Sequence, residues 1–130
     1  MDFRSVFLVG LGGACGSILR YLVSFFCTRL GILSGLPLGT ILVNALGSFL
    51  IGLFSGIFIA KQSPNTVILF VLTGVLGGFT TFSTFSLESV QLLKTQGLSL
   101  AAINVFGQVA LGLSLAYLGL RISSSGLIAS

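Results

Sequence analysis

The residues most able to do chemistry lie between Gly74 and Ser86, a segment that reads GVLGGFTTFSTFS. Paired glycines, phenylalanines and hydroxyl side chains follow one another within an otherwise apolar part of the chain. Glycines and hydroxyls weaken a simple lipid-facing helix. They suit a helix that is broken, buried in protein and turned toward a polar pathway.

Phenylalanines recur every three residues in this segment, at Phe79, Phe82 and Phe85, and hydroxyl residues that include Thr81, Ser83 and Thr84 lie between them. Aromatic rings carry an electropositive edge. Ring edges beside hydroxyl donors could therefore line a dehydrated route for a small, hard anion. The alternative is that the rings only fill the core of a membrane protein, and the density of hydroxyl groups favours the route.

A second polar stripe interrupts the preceding apolar stretch, where Thr40, Asn44 and Ser48 recur every four residues. This spacing puts the three side chains on one face of a helix. An unsatisfied amide in hydrocarbon costs several kcal/mol, so Asn44 needs a partner. Two interpretations stay open: a hydrogen bond that holds helices together, or an amide NH₂ group that donates to a passing anion, with Thr40 beside it.

Three further polar residues could belong to the same route. Asn104 and Gln108 form an i, i+4 pair that would make a polar track on the last apolar stretch. Glu88 is the only acidic residue of the sequence away from the N-terminus, and it could be a proton site, a charge at a pore mouth or the partner of Arg20 or Lys94. One carboxylate without a second acid, a histidine or a nucleophile motif argues against an enzyme.

The composition indicates a membrane protein. Of 130 residues, 55% are hydrophobic and 6% are charged, whereas soluble domains carry about 25% charged residues. The net charge of +4 comes from basic residues that are scattered singly, which argues against nucleic-acid binding. Because the sequence has no histidine, it cannot build a zinc site of the usual kind or an imidazole base.

Four stretches are long and apolar enough to cross the hydrocarbon core, which takes about 20 residues each. The sequence predicts an all-α membrane protein with one domain over residues 1–130 and transmembrane helices at about 4–26, 37–60, 66–93 and 98–121. The third stretch, of about 28 residues, would rise about 42 Å as one helix, against a core of about 30 Å. We therefore expect a break at Gly77-Gly78-Phe79-Thr80, whose residue types suit a bend.

The short connections predict that consecutive helices are antiparallel neighbours, and this arrangement divides the basic residues almost equally. One side receives Arg4, Lys61 and Arg121, and the other receives Arg29, Lys94 and, near the same end, Arg20. Since lysine and arginine fix the orientation of membrane proteins, this balance is either chance or a sign that the chain inserts both ways. In the second case, two oppositely oriented copies would form an antiparallel, dual-topology homodimer.

Three segments, in this order and spacing, resemble the bacterial fluoride channels of the Fluc or CrcB family: GGACGSILRY from Gly12, PLGTILVNALGSFLIG from Pro37 and GVLGGFTTFSTFSLE from Gly74. The match covers the first three helices. The resemblance implies a fluoride-specific channel of the bacterial inner membrane that exports fluoride passively, lowers its cytoplasmic concentration and protects against its toxicity. It also implies an antiparallel homodimer with two pores and a structural Na⁺ that is not transported.

The resemblance assigns pore roles by position. Asn44 matches the pore asparagine of the family, and Phe82 and Phe85 match the phenylalanines whose ring edges face the ions. Ser83 and Thr84 fall on the hydroxyl-rich track. These five residues are the ones that the resemblance places along the ion route.

Roles outside the pore lining follow in the same way. Gly77 and Thr80 match the positions whose backbone carbonyls hold Na⁺. Arg20 matches the arginine near the aqueous vestibule, and Glu88 matches the acid near the pore mouth.

The fourth helix departs from the family pattern. Many members carry an aromatic residue and serines there at four-residue spacing, where this chain has Asn104, Gln108 and Gly112. The alternative function is a small proton-coupled multidrug exporter, which is also built from four helices with dual topology. That mechanism needs an acid inside the first helix, and the first helix here has none. A purely structural membrane protein is the third possibility.

Overall fold

The computed structural model describes residues 2–30 and 35–125. In chain order its elements are α1 (Phe3–Leu30), α2 (Leu38–Ala60), α3 (Asn65–Ile68), a π-helical stretch called here the π segment (Leu69–Leu76), α4 (Gly77–Phe79), α5 (Phe82–Thr95) and α6 (Leu98–Ser124). The elements from α3 to α5 follow one another along a single span, Asn65–Thr95, which is apolar enough to cross a membrane, as are α1, α2 and α6. Over these described residues, the prediction of an all-α fold with four long apolar helices and an interrupted third one is confirmed.

Proline and glycine set the ends of several helices. Pro37 and Pro64 directly precede α2 and α3, where a missing N–H and a fixed φ cost nothing. Gly97, at φ +92°, separates α5 from α6 in a conformation that L side chains rarely adopt. This glycine allows the chain to reverse between two long helices within a few residues.

The helices pack in two main pairs: α2 lies along α6, and α1 lies along the π segment and α4. Small residues bring the backbones together in both pairs. A Cβ on Gly12 would stand 2.5 Å from the Phe70 carbonyl oxygen, and a Cβ on Gly52 would overlap the Ala116 carbonyl oxygen. Such close approach is the ordinary basis of helix association in membranes, where lipid and side chains are equally apolar.

The interior of the single chain is small and unusually polar. Its buried hydrophobic residues are Val43, Leu76, Phe79, Phe85, Leu92 and Ala101. Its buried polar residues are Thr40, Thr81, Ser89, Asn104 and Ser123. Since buried polar groups are costly unless they are hydrogen-bonded, this core is organised by hydrogen bonds as much as by apolar packing.

Candidate functional site

The third transmembrane helix is broken at Thr80 and Thr81. Both residues are extended, with φ/ψ of −76°/157° at Thr80 and −148°/115° at Thr81. Thr80 still donates its N–H to the Leu76 carbonyl at 3.0 Å. A new helix, α5, then starts at Phe82 with Thr81 as its N-cap, because the Thr81 hydroxyl accepts the Thr84 N–H at 3.2 Å.

The expected break at Gly77-Gly78-Phe79-Thr80 was therefore placed too early, although it overlaps the observed one at Thr80. Gly77 and Gly78 are helical and belong to α4. Gly78 is needed for packing, since a Cβ there would stand 2.6 Å from the Gly13 carbonyl oxygen of α1. The break occurs where a hydroxyl can cap the next helix, at Thr81.

Asn44 of α2 binds the extended backbone at the break. Its Oδ1 accepts the Thr81 N–H at 2.9 Å, and its Nδ2 donates to the Thr81 carbonyl at 3.2 Å. The same Nδ2 donates to Oε1 of Gln108 on α6, also at 3.2 Å. The amide thus replaces the neighbours that a continuous helix would supply to Thr81, and both of its N–H groups have acceptors. The interhelical role considered for Asn44 is present in the structure.

A ladder of hydrogen-bonded side chains, called here the amide ladder, continues from Asn44 through Gln108, Asn104 and Ser89. Gln108 Nε2 donates to Asn104 Oδ1 at 2.9 Å, and Asn104 Nδ2 donates to Ser89 Oγ at 2.9 Å. Ser89 Oγ donates in turn to the Phe85 carbonyl at 2.7 Å. The ladder links α2, α6 and α5, and it joins Asn104 and Gln108 to Asn44 by hydrogen bonds.

The break also releases the backbone carbonyls of residues 77 to 80, and those of Gly77 and Thr80 are among them. In a continuous helix each would accept the N–H four residues later. Here the Thr81 N–H is bonded to Asn44 Oδ1, and the Thr84 N–H is bonded to Thr81 Oγ1. The carbonyls that the resemblance assigned to Na⁺ are thus deprived of their helical donors.

The two phenylalanines that the resemblance assigns to the pore, Phe82 and Phe85, differ in their surroundings. The Phe85 ring is buried, at 8% exposure, whereas the Phe82 ring is 78% exposed on the outside of the single chain. Their centroids are 5.5 Å apart, with the planes tilted by 47°. Phe82 borders an open cavity of about 300 Å³ that Asn44, Ser48 and Thr81 also line.

Hydroxyl groups cluster at the start of α5. Thr81 Oγ1 donates to Thr84 Oγ1 at 3.0 Å and shares a hydrogen bond of 3.3 Å with Ser83 Oγ. Ser83 is exposed and Thr84 is half-buried. Because a hydroxyl can rotate its proton toward either neighbour, this cluster can present donors in more than one direction.

Two adjoining cavities contain the predicted vestibule residues Arg20 and Glu88. A cavity of about 280 Å³ is lined by Arg20, and one of about 370 Å³ is lined by Glu88. The lining residues shared by both are Ser24, Thr40 and Thr84. Thr40 Oγ1 donates to Glu88 Oε1 at 2.9 Å, so Thr40 is the partner of this carboxyl group. Glu88 Oε2 is buried and lacks a hydrogen-bond partner within the described part of the chain.

Two members of the site, Thr81 and Ser89, were not given a role of their own from the sequence. Thr81 counted only as one hydroxyl among several, and it is recognisable in hindsight as a hydroxyl residue directly before a helix. Ser89 follows Phe85 by one helical turn, but a serine that bonds its own helix leaves no distinct sequence signal.

Comparison with known proteins identifies the family. Residues 7–120 match the family described as CrcB-like protein, Camphor Resistance (CrcB). The chain belongs to the CrcB family. This result confirms the resemblance predicted from the three segments, and with its four apolar helices this CrcB-family chain is a multi-pass membrane protein.

Relatives of this CrcB-family chain cover nearly its whole length. The fluoride-specific ion channel FluC of one strain of Thermus thermophilus is 44% identical over 126 residues, which are 96% of this chain and 98% of the relative. FluC of a second Thermus thermophilus strain is 46% identical over 119 residues, 91% of this chain and 94% of the relative. FluC of Methanococcus vannielii is 38% identical over 124 residues, 94% of this chain and 98% of the relative.

Proposed function

We propose that the protein is a fluoride-specific ion channel that lets fluoride leave the cell passively through the cell membrane and so lowers its toxic concentration in the cytoplasm. The observation that carries this proposal is the 44% identity over 126 residues with a fluoride-specific channel. The geometry of the break agrees with it, since neutral donors converge there within an apolar bundle. On this proposal, the protein is a channel and not an enzyme.

Fluoride holds its water tightly, so a pore must replace the hydration shell with fixed donors. The candidate donors are the amide of Asn44, the hydroxyls of Thr40, Ser83 and Thr84, and the ring edges of Phe82 and Phe85. The N-terminus of α5 lies at the same place, and the partial positive charge of a helix N-terminus favours an anion. A narrow, uncharged lining of this kind favours the smallest halide.

The functional unit proposed here is an antiparallel homodimer. Phe82 is 78% exposed, although it borders the same cavity as Asn44. A pathway at this cavity is open along one side in the single chain, and a second copy would close it. The even division of basic residues between the two sides of the membrane supports opposite orientations for the two copies.

A structural Na⁺ fits the break. Carbonyl oxygens at unwound helix segments are typical ligands of Na⁺ in membrane proteins. The Gly77 and Thr80 carbonyls have lost their helical donors in the way that such a role requires. When bound, the ion would supply a positive charge close to the anion route, and this chain's own contribution is to hold the two carbonyls in place through Asn44 and the Thr81 cap.

Arg20 and Glu88 are proposed to line the aqueous entrance. A basic side chain in a half-buried cavity raises the local concentration of anions. Thr40 lines both cavities and donates its hydroxyl to the Glu88 carboxyl group. Because Thr40 lies one helical turn before Asn44 on α2, it connects the entrance to Asn44.

Efflux from sealed vesicles tests the function. Purified protein is reconstituted into liposomes loaded with KF, and release is followed with a fluoride electrode after K⁺ is made permeant with valinomycin. We expect rapid fluoride release, and slow chloride release from KCl-loaded vesicles of the same preparation. A proton-coupled multidrug exporter would instead move organic cations in response to a proton gradient, and fluoride retention would contradict the channel assignment.

A further inference from the structure

Gln108 on α6 is an acceptor for Asn44 and a donor to Asn104. Its Oε1 accepts from Asn44 Nδ2 at 3.2 Å, and its Nε2 donates to Asn104 Oδ1 at 2.9 Å. Asn104 is 2% exposed, and its own Nδ2 is bonded to Ser89 Oγ, so its Oδ1 faces Gln108. The buried Asn104 therefore determines that Gln108 turns its carbonyl end, and not its NH₂ end, toward Asn44.

Asn44 can donate to an anion only if one of its present acceptors leaves. The Thr81 carbonyl belongs to the backbone, and the same residue is also held by the 2.9 Å bond from the Thr81 N–H to Asn44 Oδ1. Gln108 is a half-buried, flexible side chain whose bond to Asn44 is neutral and 3.2 Å long. Hydrogen bonds to an ionised acceptor are roughly twice as strong as neutral ones, so Gln108 is the acceptor that an anion displaces.

We propose that Gln108 is a specificity-determining residue. Its Oε1 accepts the second N–H of the Asn44 amide while no ion is bound, and fluoride replaces Oε1 as the acceptor of that N–H when it passes. The inference rests on the proposed channel function. Fluoride accepts hydrogen bonds more strongly than chloride, so the exchange of an amide oxygen for a halide favours fluoride. Asn104 is a positioning residue in this scheme, because it acts through Gln108.

Gln108→Met tests the exchange, since methionine keeps the approximate length of the side chain and lacks the amide. Without a competing acceptor, Asn44 binds fluoride more tightly, and the fluoride concentration at half-maximal flux falls about fivefold, the effect of one neutral hydrogen bond. The ratio of fluoride to chloride flux falls as well, because chloride no longer competes with Oε1. Gln91→Met makes the same change at an exposed site of α5 and leaves both values at the wild-type level.

A double-variant cycle separates positioning from structural damage. Asn104→Ala removes the anchor of Gln108 and shifts the half-maximal concentration in the same direction as Gln108→Met. The double variant shows no further shift, because Asn104 has no other route to Asn44 in this scheme. Shifts that add in the double variant contradict the positioning role.

The outcomes distinguish this inference from the channel function itself. Wild-type vesicles that retain fluoride overturn the proposed function. If the wild-type protein conducts fluoride but Gln108→Met has the same half-maximal concentration and the same selectivity, the inference about Gln108 is wrong and the channel function stands. If Gln108→Met does not fold, ¹⁵N-labelled wild-type protein is used: the side-chain amide protons of Asn44 and Gln108 shift with KF and not with equal KCl, and shifts that ignore fluoride overturn the inference.

Discussion

Gly47 of α2 lies directly against the methyl group of Thr80 at the helix break. A Cβ at position 47 would overlap Thr80 Cγ2 and would stand 3.4 Å from Phe79 Cδ1. Gly47 lies one turn after Asn44, on the same side of α2. The second helix therefore supports the extended backbone twice, through the hydrogen bonds of Asn44 and through close contact at Gly47.

Gly47→Ala should destabilise the protein by about 1–3 kcal/mol, the usual cost of overpacking, and should lower fluoride flux because Thr80 is displaced. Thermal unfolding in detergent and vesicle efflux measure the two effects. Thr80→Ser removes the clashing methyl and keeps the hydroxyl that donates to the Leu76 carbonyl. The double variant should recover most of both losses.

The matched control for this prediction is Gly107→Ala on α6, where a new Cβ meets nothing within 4 Å. This variant should be as stable as the wild type. If Gly47→Ala behaves like Gly107→Ala, the contact between Gly47 and Thr80 is unimportant.

Thr81→Val should lower the free energy of unfolding by about 1 kcal/mol, because α5 loses the hydroxyl that caps its Thr84 N–H. Thr81→Ser keeps a hydroxyl and should retain most of the stability. Denaturant titration in mixed micelles provides the measurement. Equal losses in the two variants would show that the hydroxyl does not matter.

Asn44→Asp should reduce fluoride flux at least tenfold. The carboxylate can still accept the Thr81 N–H, but it loses both donors and faces the oxygens of Thr81 and Gln108. It also places a negative charge in the proposed anion route. Asn65→Asp, at an exposed first position of α3, is the control and should leave flux unchanged. Wild-type flux in Asn44→Asp would remove Asn44 from the route.

Phe82→Leu and Phe85→Leu should each depress fluoride flux by up to about tenfold, since a ring edge contributes about 0.5–1.5 kcal/mol. Leucine keeps an apolar side chain, although a smaller one, and removes the electropositive edge. Phe58→Leu tests the substitution elsewhere, because Phe58 stacks on Phe54 within α2 and lies outside the proposed route. Flux at the wild-type level in both pore variants would mean that the rings only pack.

Replacing Na⁺ by N-methylglucamine at equal ionic strength should lower the unfolding temperature and the fluoride flux. The reason is that the Gly77 and Thr80 carbonyls would lose the cation that compensates for their missing helical donors. Thr80→Ser keeps the backbone carbonyl, so its response to Na⁺ should match that of the wild type. Identical unfolding curves in the two cations would refute the Na⁺ proposal.

The four long helices could be read from the sequence because lipid imposes a simple rule of length and hydropathy. The existence of a break was readable as well, from the glycines and hydroxyls of the third stretch. Its position was not, because Gly78 has two possible uses, to bend a helix or to let another helix approach, and the sequence does not say which one applies. In the structure, Gly78 lies against Gly13, so its use is to let α1 approach closely.

The hydrogen-bond partners were beyond sequence reasoning. The π segment depends on a backbone register that leaves no mark in the spacing of apolar residues. The contact between Asn44 and Gln108 joins residues 64 positions apart. Each was recognisable as a costly polar residue at membrane depth, but which amide would meet which depends on how α2 and α6 are rotated against each other.

The amide ladder runs from Asn44 to the Phe85 carbonyl through amides and a hydroxyl, groups that neither gain nor lose protons in ordinary media. A ladder built from carboxylates or imidazoles would change its hydrogen bonds as its surroundings turned acid. In the amide ladder, every donor stays a donor and every acceptor stays an acceptor when the medium becomes acidic, so the direction of its hydrogen bonds does not change.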